Sequence, residues 1–185
     1  DNVFGFLLED STQSNILLLY SPTDDQWTRR VLNEEPAAYG SHRNFIYWAD
    51  PDGNITIFNG ITNSEYQIAF GNLVYWHYEN YILHRDNYFI AYTSDNQFAA
   101  YSTFTNTVAY YASDLFSMRG GRDKVVLYES SDSKQYLGYS AIFNTFSLLE
   151  LTEEDGISLW PLGGDNTALV MTSEGSLYAF NPYSE

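Results

Sequence analysis

An aromatic residue followed by Ser or Asn recurs five times, as Tyr20-Ser21, Phe58-Asn59, Tyr101-Ser102, Tyr139-Ser140 and Phe180-Asn181, at steps of 38, 43, 38 and 41 residues. A second marker runs in phase: Asn2, Asn44, Asn87, Lys124 and Asn166 each open an apolar run. A third lies five residues after the aromatic, as Asp25-Gln26, Asn63-Ser64, Asn106-Thr107 and Asn144-Thr145. A period of roughly 40 residues with short strands inside it implies stacked or radially arranged units, because one such unit cannot bury its apolar faces alone. The markers divide the chain into repeats 2–43, 44–86, 87–123, 124–165 and 166–185 of a single domain.

The repeat that opens at Asn44 reads most clearly. Phe45 to Ala49 is an apolar strand, and Asp50-Pro51-Asp52-Gly53-Asn54 is a turn, with Pro presetting one dihedral and Gly accepting positive φ. Ile55 to Phe58, Tyr66 to Phe70 and Leu73 to Tyr78 supply three more strands. The other copies keep this order, and Asp114 to Gly121 reads as a single helical turn. Four short antiparallel strands per repeat predict an all-β chain, a β-propeller of about five four-stranded blades whose first and last are incomplete. Open strand edges invite aggregation, so the first and last hairpins are expected to meet. Four blades with extra strands, a piece of a larger ring and a rolled stack of hairpins are the alternatives. The chain begins at Asp1, which fits a processed chain or an excised fragment.

Composition narrows the partners. The net charge is −16, from 24 acidic residues against 8 Lys and Arg. Nucleic acids and anionic lipid surfaces are bound by neutralising phosphates, so neither is expected here. No apolar run is long enough to span a membrane as a helix. The absence of Cys excludes disulfides and thiol chemistry. The one N-x-S/T sequon, Asn54-Ile55-Thr56, suits a secreted or extracellular protein.

The aromatic load is 17 Tyr, 12 Phe and 4 Trp. Sugar recognition needs an aromatic surface for the C–H side of the ring and a few placed polar groups for its hydroxyls. Trp27 with Arg29, Trp48 with Asp50, Tyr75 and Trp76, and Trp160 are the candidates; the competing reading wedges the tryptophans between blades as core. Asp50, Asp52 and Asn54 offer oxygens of the kind calcium takes, with a plain hairpin turn as the alternative. His42, His77 and His84 share no metal-binding spacing, and Glu34-Glu35 and Glu153-Glu154-Asp155 read as solvated loops rather than catalytic pairs. No catalytic residue is assigned, and no cofactor beyond calcium is considered.

Tyr20-Ser21-Pro22, the Asp24-Asp25-Gln26-Trp27-Thr28-Arg29-Arg30 segment and the following Phe45-Ile46-Tyr47-Trp48-Ala49-Asp50-Pro51-Asp52-Gly53-Asn54 run resemble the blades of propeller lectins, of the tachylectin type and the fungal fucose-binding type. The likeness covers about one repeat, and it implies a propeller fold with glycan or glycoprotein as ligand. The expectation is therefore a non-catalytic, lectin-like propeller with several weak sites whose multiplicity raises avidity. A scaffold that docks a protein partner, or self-associates through its incomplete blades, is the second reading; a carbohydrate-active enzyme is the third.

Overall fold

The structure is a computed structural model and describes residues 3–9, 15–69, 82–92, 97–112, 116–130, 132, 134–152, 157–164 and 166–183. Among the described residues, eighteen strands form five antiparallel sheets in chain order, with no helix. The first sheet holds β1 (Phe4–Glu9), β2 (Asn15–Ser21) and β3 (Gln26–Leu32). The second holds β4 (Ala38–Ser41), β5 (Phe45–Ala49), β6 (Asn54–Asn59) and β7 (Ser64–Ala69). The third holds β8 (Ile82–Arg85), β9 (Tyr88–Tyr92), β10 (Gln97–Ser102) and β11 (Thr107–Ala112). The fourth holds β12 (Phe116–Gly121), β13 (Val125–Ser130), β14 (Gln135–Ser140) and β15 (Thr145–Glu150). The fifth holds β16 (Ile157–Gly164), β17 (Thr167–Thr172) and β18 (Leu177–Phe180). Each sheet is a meander whose strands pair with their chain neighbours.

Strands apolar on both sides become the middle strands. β5 is buried along its whole length, and β6 along all but Asn54, because alternate side chains pack on the sheets before and after. One apolar cluster fills each gap between consecutive sheets. Leu17 and Leu19 meet Ile46, Trp48 and Phe58. Tyr47, Ile55 and Ile57 meet Phe89, Ala99 and Tyr101. Tyr88, Ile90 and Phe98 meet Val126, Tyr128, Leu137 and Tyr139. Val125, Leu127 and Tyr136 meet Ala168 and Val170. Each large side chain buried in these gaps contributes about 1.5–3 kcal/mol. Like strands lie beside like, β12 near β16, β13 near β17 and β11 near β15, so the sheets follow one another in a common orientation, as in a propeller.

The three sequence markers have distinct structural roles. Asp25, Asn63, Asn106 and Asn144 all sit at positive φ, between 49° and 55°, closing the turn before the last strand of each of the first four sheets. Asn and Asp tolerate this left-handed geometry better than other residues with a side chain. Tyr20, Tyr101 and Tyr139 donate their hydroxyls to Asp25, Asn106 and Asn144 at 2.7–2.8 Å, so the aromatic marker braces its own turn.

The Ser or Asn beside each aromatic reaches the next sheet. Ser21 donates to the Gly60 carbonyl at 3.3 Å, Asn59 to that of Thr103 at 2.9 Å, and Ser140 to that of Pro182 at 2.9 Å. Ser102 donates to the Ala141 carbonyl in the same way. In every case the acceptor lies two residues past the following aromatic, so one bond is repeated at all four junctions. The asparagines that open the repeats also form a chain, Asn44 donating to Asn87 at 2.6 Å and Asn87 donating to Asp123.

Two expectations are corrected. Residues 116–121 form strand β12, not a helical turn: Met118 pairs with Tyr128, and a bulge between Met118 and Gly120 takes up the extra residue. Gly120 and Gly121 disfavour helix, and the ladder to β13 satisfies the backbone instead. The first and last hairpins do not meet. Among the described residues β1 and β18 pair only with β2 and β17, so the row of sheets is open, with three described strands in each terminal sheet. The predicted strand at 73–78 lies outside the described residues.

Candidate functional site

A cleft of about 310 Å³ opens where the first sheet abuts the second. The end of β3 and the segment after it supply Leu32, Glu34 and Pro36; the end of β5 and its turn supply Trp48, Asp50 and Asp52. The turn is rigidly closed. Asp50 accepts bonds from the Asn54 backbone N–H and from Asn54 Nδ2, each at 2.8 Å, its own N–H donates to the Asn54 carbonyl at 3.0 Å, and Gly53 takes φ 85°. The chain opposite is held by the Ala37 N–H, which donates to the Ala49 carbonyl at 2.9 Å. Trp48 is only 9% exposed: its ring packs with Leu17, Leu19, Ile46 and Phe58, and the part left open forms one wall of the cleft. Glu34 and Asp52 are exposed at the rim.

The fold therefore brings Trp48 and Asp50 together and separates them from Trp27 and Arg29. Those two lie on β3 beside Tyr20 and Leu18 of β2, on the face of the first sheet turned away from the second. There Trp27 stacks with Phe6 at 6.1 Å between ring centres and lies 5.2 Å from Tyr20. The Tyr20 hydroxyl titrates above its ordinary value, chiefly because it donates to the Asp25 carboxylate. Tyr75 and Trp76 lie outside the described residues. Trp160 falls within β16, whose side chain at this position is not among those described.

For calcium, Asp50, Asp52 and Asn54 share one turn, and both carboxylate oxygens of Asp50 already accept from Asn54. Among the described residues no group of three or more Asp, Glu or His gathers as a cation site.

A second cleft, of about 230 Å³, lies between the fourth and fifth sheets and is apolar: Leu127, Tyr136, Leu149, Val170, Tyr178 and Phe180 line it around Gly138. Sequence reasoning passed over it. Its signal is the residue just before the aromatic marker, which shrinks along the chain from Leu19 and Ile57 to Ala100 and Gly138. At Gly138 a methyl group would come within 2.6–2.7 Å of the Phe180 ring.

No protein-family model matches the chain, and no curated protein matches it. Solved structures do. The chain is similar to the computationally designed Ika4 protein, at 12% identity and TM-score 0.37, over 81% of this chain and 92% of that one. It is similar to the HIRA fragment 644–1017, at 9% identity and TM-score 0.46, over 85% of this chain and 54% of the fragment. It is similar to human WBSCR16, at 8% identity and TM-score 0.45, over 97% of this chain and 59% of that one. The chain thus spans little more than half the length of these last two.

Proposed function

We propose that the protein is a non-catalytic carbohydrate-binding module built on propeller blades, and that its saccharide site is the cleft between the first and second sheets. The observation that supports this most is the meeting of the Trp48 wall with Glu34, Asp50 and Asp52 in one opening of about 310 Å³. That is the lower end of the size range of small-molecule sites, and the combination of an apolar wall with sparse polar groups is what a sugar ring requires. The charged groups are acidic, Asn33 adds a side-chain amide, and among the described residues no Lys or Arg lines the cleft. Carboxylates accept hydrogen bonds from hydroxyls and repel anions, so the ligand class is a neutral sugar rather than a uronic or sialic acid.

The test is a titration of neutral and acidic monosaccharides and short glycans, followed by isothermal calorimetry and by Trp fluorescence. Neutral sugars are expected to bind, and Glu34→Gln and Asp52→Asn to weaken binding with unchanged thermal unfolding. Lack of binding by any neutral sugar at millimolar concentration, or full retention of binding in both variants, overturns the reading.

A further inference from the structure

Among the described residues the two terminal sheets each leave one face exposed, and the two faces differ in kind. At every internal junction the leading face of one sheet meets the trailing face of the next. The trailing face carries the aromatic marker: Phe58 in the second sheet, Tyr101 in the third and Tyr139 in the fourth are all buried against the sheet before. The leading face carries the residues one and three places earlier, such as Ile55 and Ile57 or Phe98 and Ala100, buried against the sheet after.

The first sheet exposes its trailing face. Strand pairing places Phe4 opposite Tyr20, as Ile46 is opposite Phe58, Phe89 opposite Tyr101 and Val126 opposite Tyr139. Ile46, Phe89 and Val126 are buried, whereas Phe4 is 49% exposed and Phe6, one step along, 51%. Trp27 pairs with Tyr20 as Phe146 pairs with Tyr139, and Phe146 packs against Phe98 and Tyr111 of the sheet before it. Trp27 thus holds the place of a junction aromatic, yet it is 57% exposed. The fifth sheet exposes its leading face. Leu177 stands where Leu17, Ile55, Phe98 and Tyr136 are buried, and it is 62% exposed, with Met171 exposed beside it as its pairing partner.

We infer that these two faces dock on each other between copies of the chain, the fifth sheet of one protomer packing on the first sheet of another, head to tail. The contact repeats the chain's own junction. Leu177, Ala179 and Met171 supply the leading half; Phe4, Phe6, Tyr20 and Trp27 supply the trailing half. The polar bond has its place too: Asn181 follows Phe180 as Asn59 follows Phe58, and the Pro22 carbonyl lies two residues past Tyr20, where the acceptors of the other junctions lie. The four internal junctions are already packed and bonded, and a second copy docks on the two exposed faces without changing any of them. Such a contact is heterologous, so copies add to a ring or an open row. This inference does not depend on the carbohydrate reading, because the cleft and the docking faces are separate surfaces.

Sedimentation velocity over a concentration series, at 0.15 M salt to screen the −16 charge, tests it. Phe6→Asp blocks the head and Leu177→Asp the tail; both positions face solvent in the single chain, and far-UV circular dichroism checks the fold. The wild type is expected to assemble. Each variant alone should be monomeric, with an apparent dissociation constant raised by at least about 30-fold. An equimolar mixture should form a one-to-one dimer, since each variant keeps one intact face. A wild type that is monomeric at every concentration, whether through closure on itself or through a different occupant, overturns the inference; so does assembly that both variants retain.

Discussion

The side-chain amide of Asn59 lies 2.9 Å from the Thr103 carbonyl and bridges the second sheet to the third. The same amide reaches the Tyr101 hydroxyl at 2.9 Å, and Asn59 Oδ1 accepts from the Ile61 N–H at 2.9 Å. Asn59 is fully buried, so these partners have no water to replace it.

Asn59→Ala is therefore expected to destabilise the protein by about 2–3 kcal/mol, the range for orphaning buried polar groups. Asn59→Ser should lose less, because Ser makes the equivalent bond at Ser21, Ser102 and Ser140. Urea unfolding of the three proteins gives the order; equal loss in both variants would show that the bridge is not what matters.

Asn144 separates backbone strain from bonding. It sits at φ 53°, accepts from the Tyr139 hydroxyl at 2.8 Å and donates to the Thr107 carbonyl at 2.9 Å. Asn144→Gly removes the bonds and keeps the left-handed turn; Asn144→Ala removes the bonds and strains the turn. Ala should be the less stable of the two by about 1 kcal/mol, read from the shift in urea midpoint.

Gly138→Ala places a methyl against the Phe180 ring, which must shift to admit it. The expected loss is about 1–3 kcal/mol, as for other overpacked interiors. Its mark should be local: chemical-shift changes concentrated in the fourth and fifth sheets, with the first and second unmoved.

Alkaline pH should unfold the chain. Burial pushes the hydroxyls of Tyr88, Tyr101, Tyr128 and Tyr139 well above the ordinary tyrosine value of 10.0. Below pH about 10 these groups are protonated in both states and their contribution to stability does not change with pH. Above it the unfolded chain releases protons that the folded chain retains, so stability falls as pH rises toward the folded values. The last part of the tyrosinate absorbance, from the buried hydroxyls, should appear together with the loss of circular dichroism, above pH about 10. Tyrosinate forming fully while the sheets persist would contradict this.

Strand content and order were legible because the turn residues are explicit. Asp50-Pro51-Asp52-Gly53 and the left-handed asparagines each specify local geometry through their own side chains. The junction bond was not legible: its acceptors are backbone carbonyls 39 to 44 residues away, of residues as unlike as Gly60, Thr103, Ala141 and Pro182. Trp27 shows the same limit for the candidate site. In sequence it reads as a contact aromatic or as core, and only strand pairing gives it the place of Phe146. Trp48 and Asp50 are near in the chain, so their meeting was readable, but Glu34 joins them only because β3 ends against the turn after β5. The stretch at 116–121 misled because Met118 and Arg119 suit a helix, and the ladder to β13 decides otherwise.

Because the packing and bonds among the described residues tie each sheet to its immediate neighbours, cooperativity is passed along hand to hand rather than shared through a common centre. Loosening should start at the outermost sheets and travel inward, leaving amide protons of β9 and β10, in the middle of the row, as the slowest to exchange with solvent.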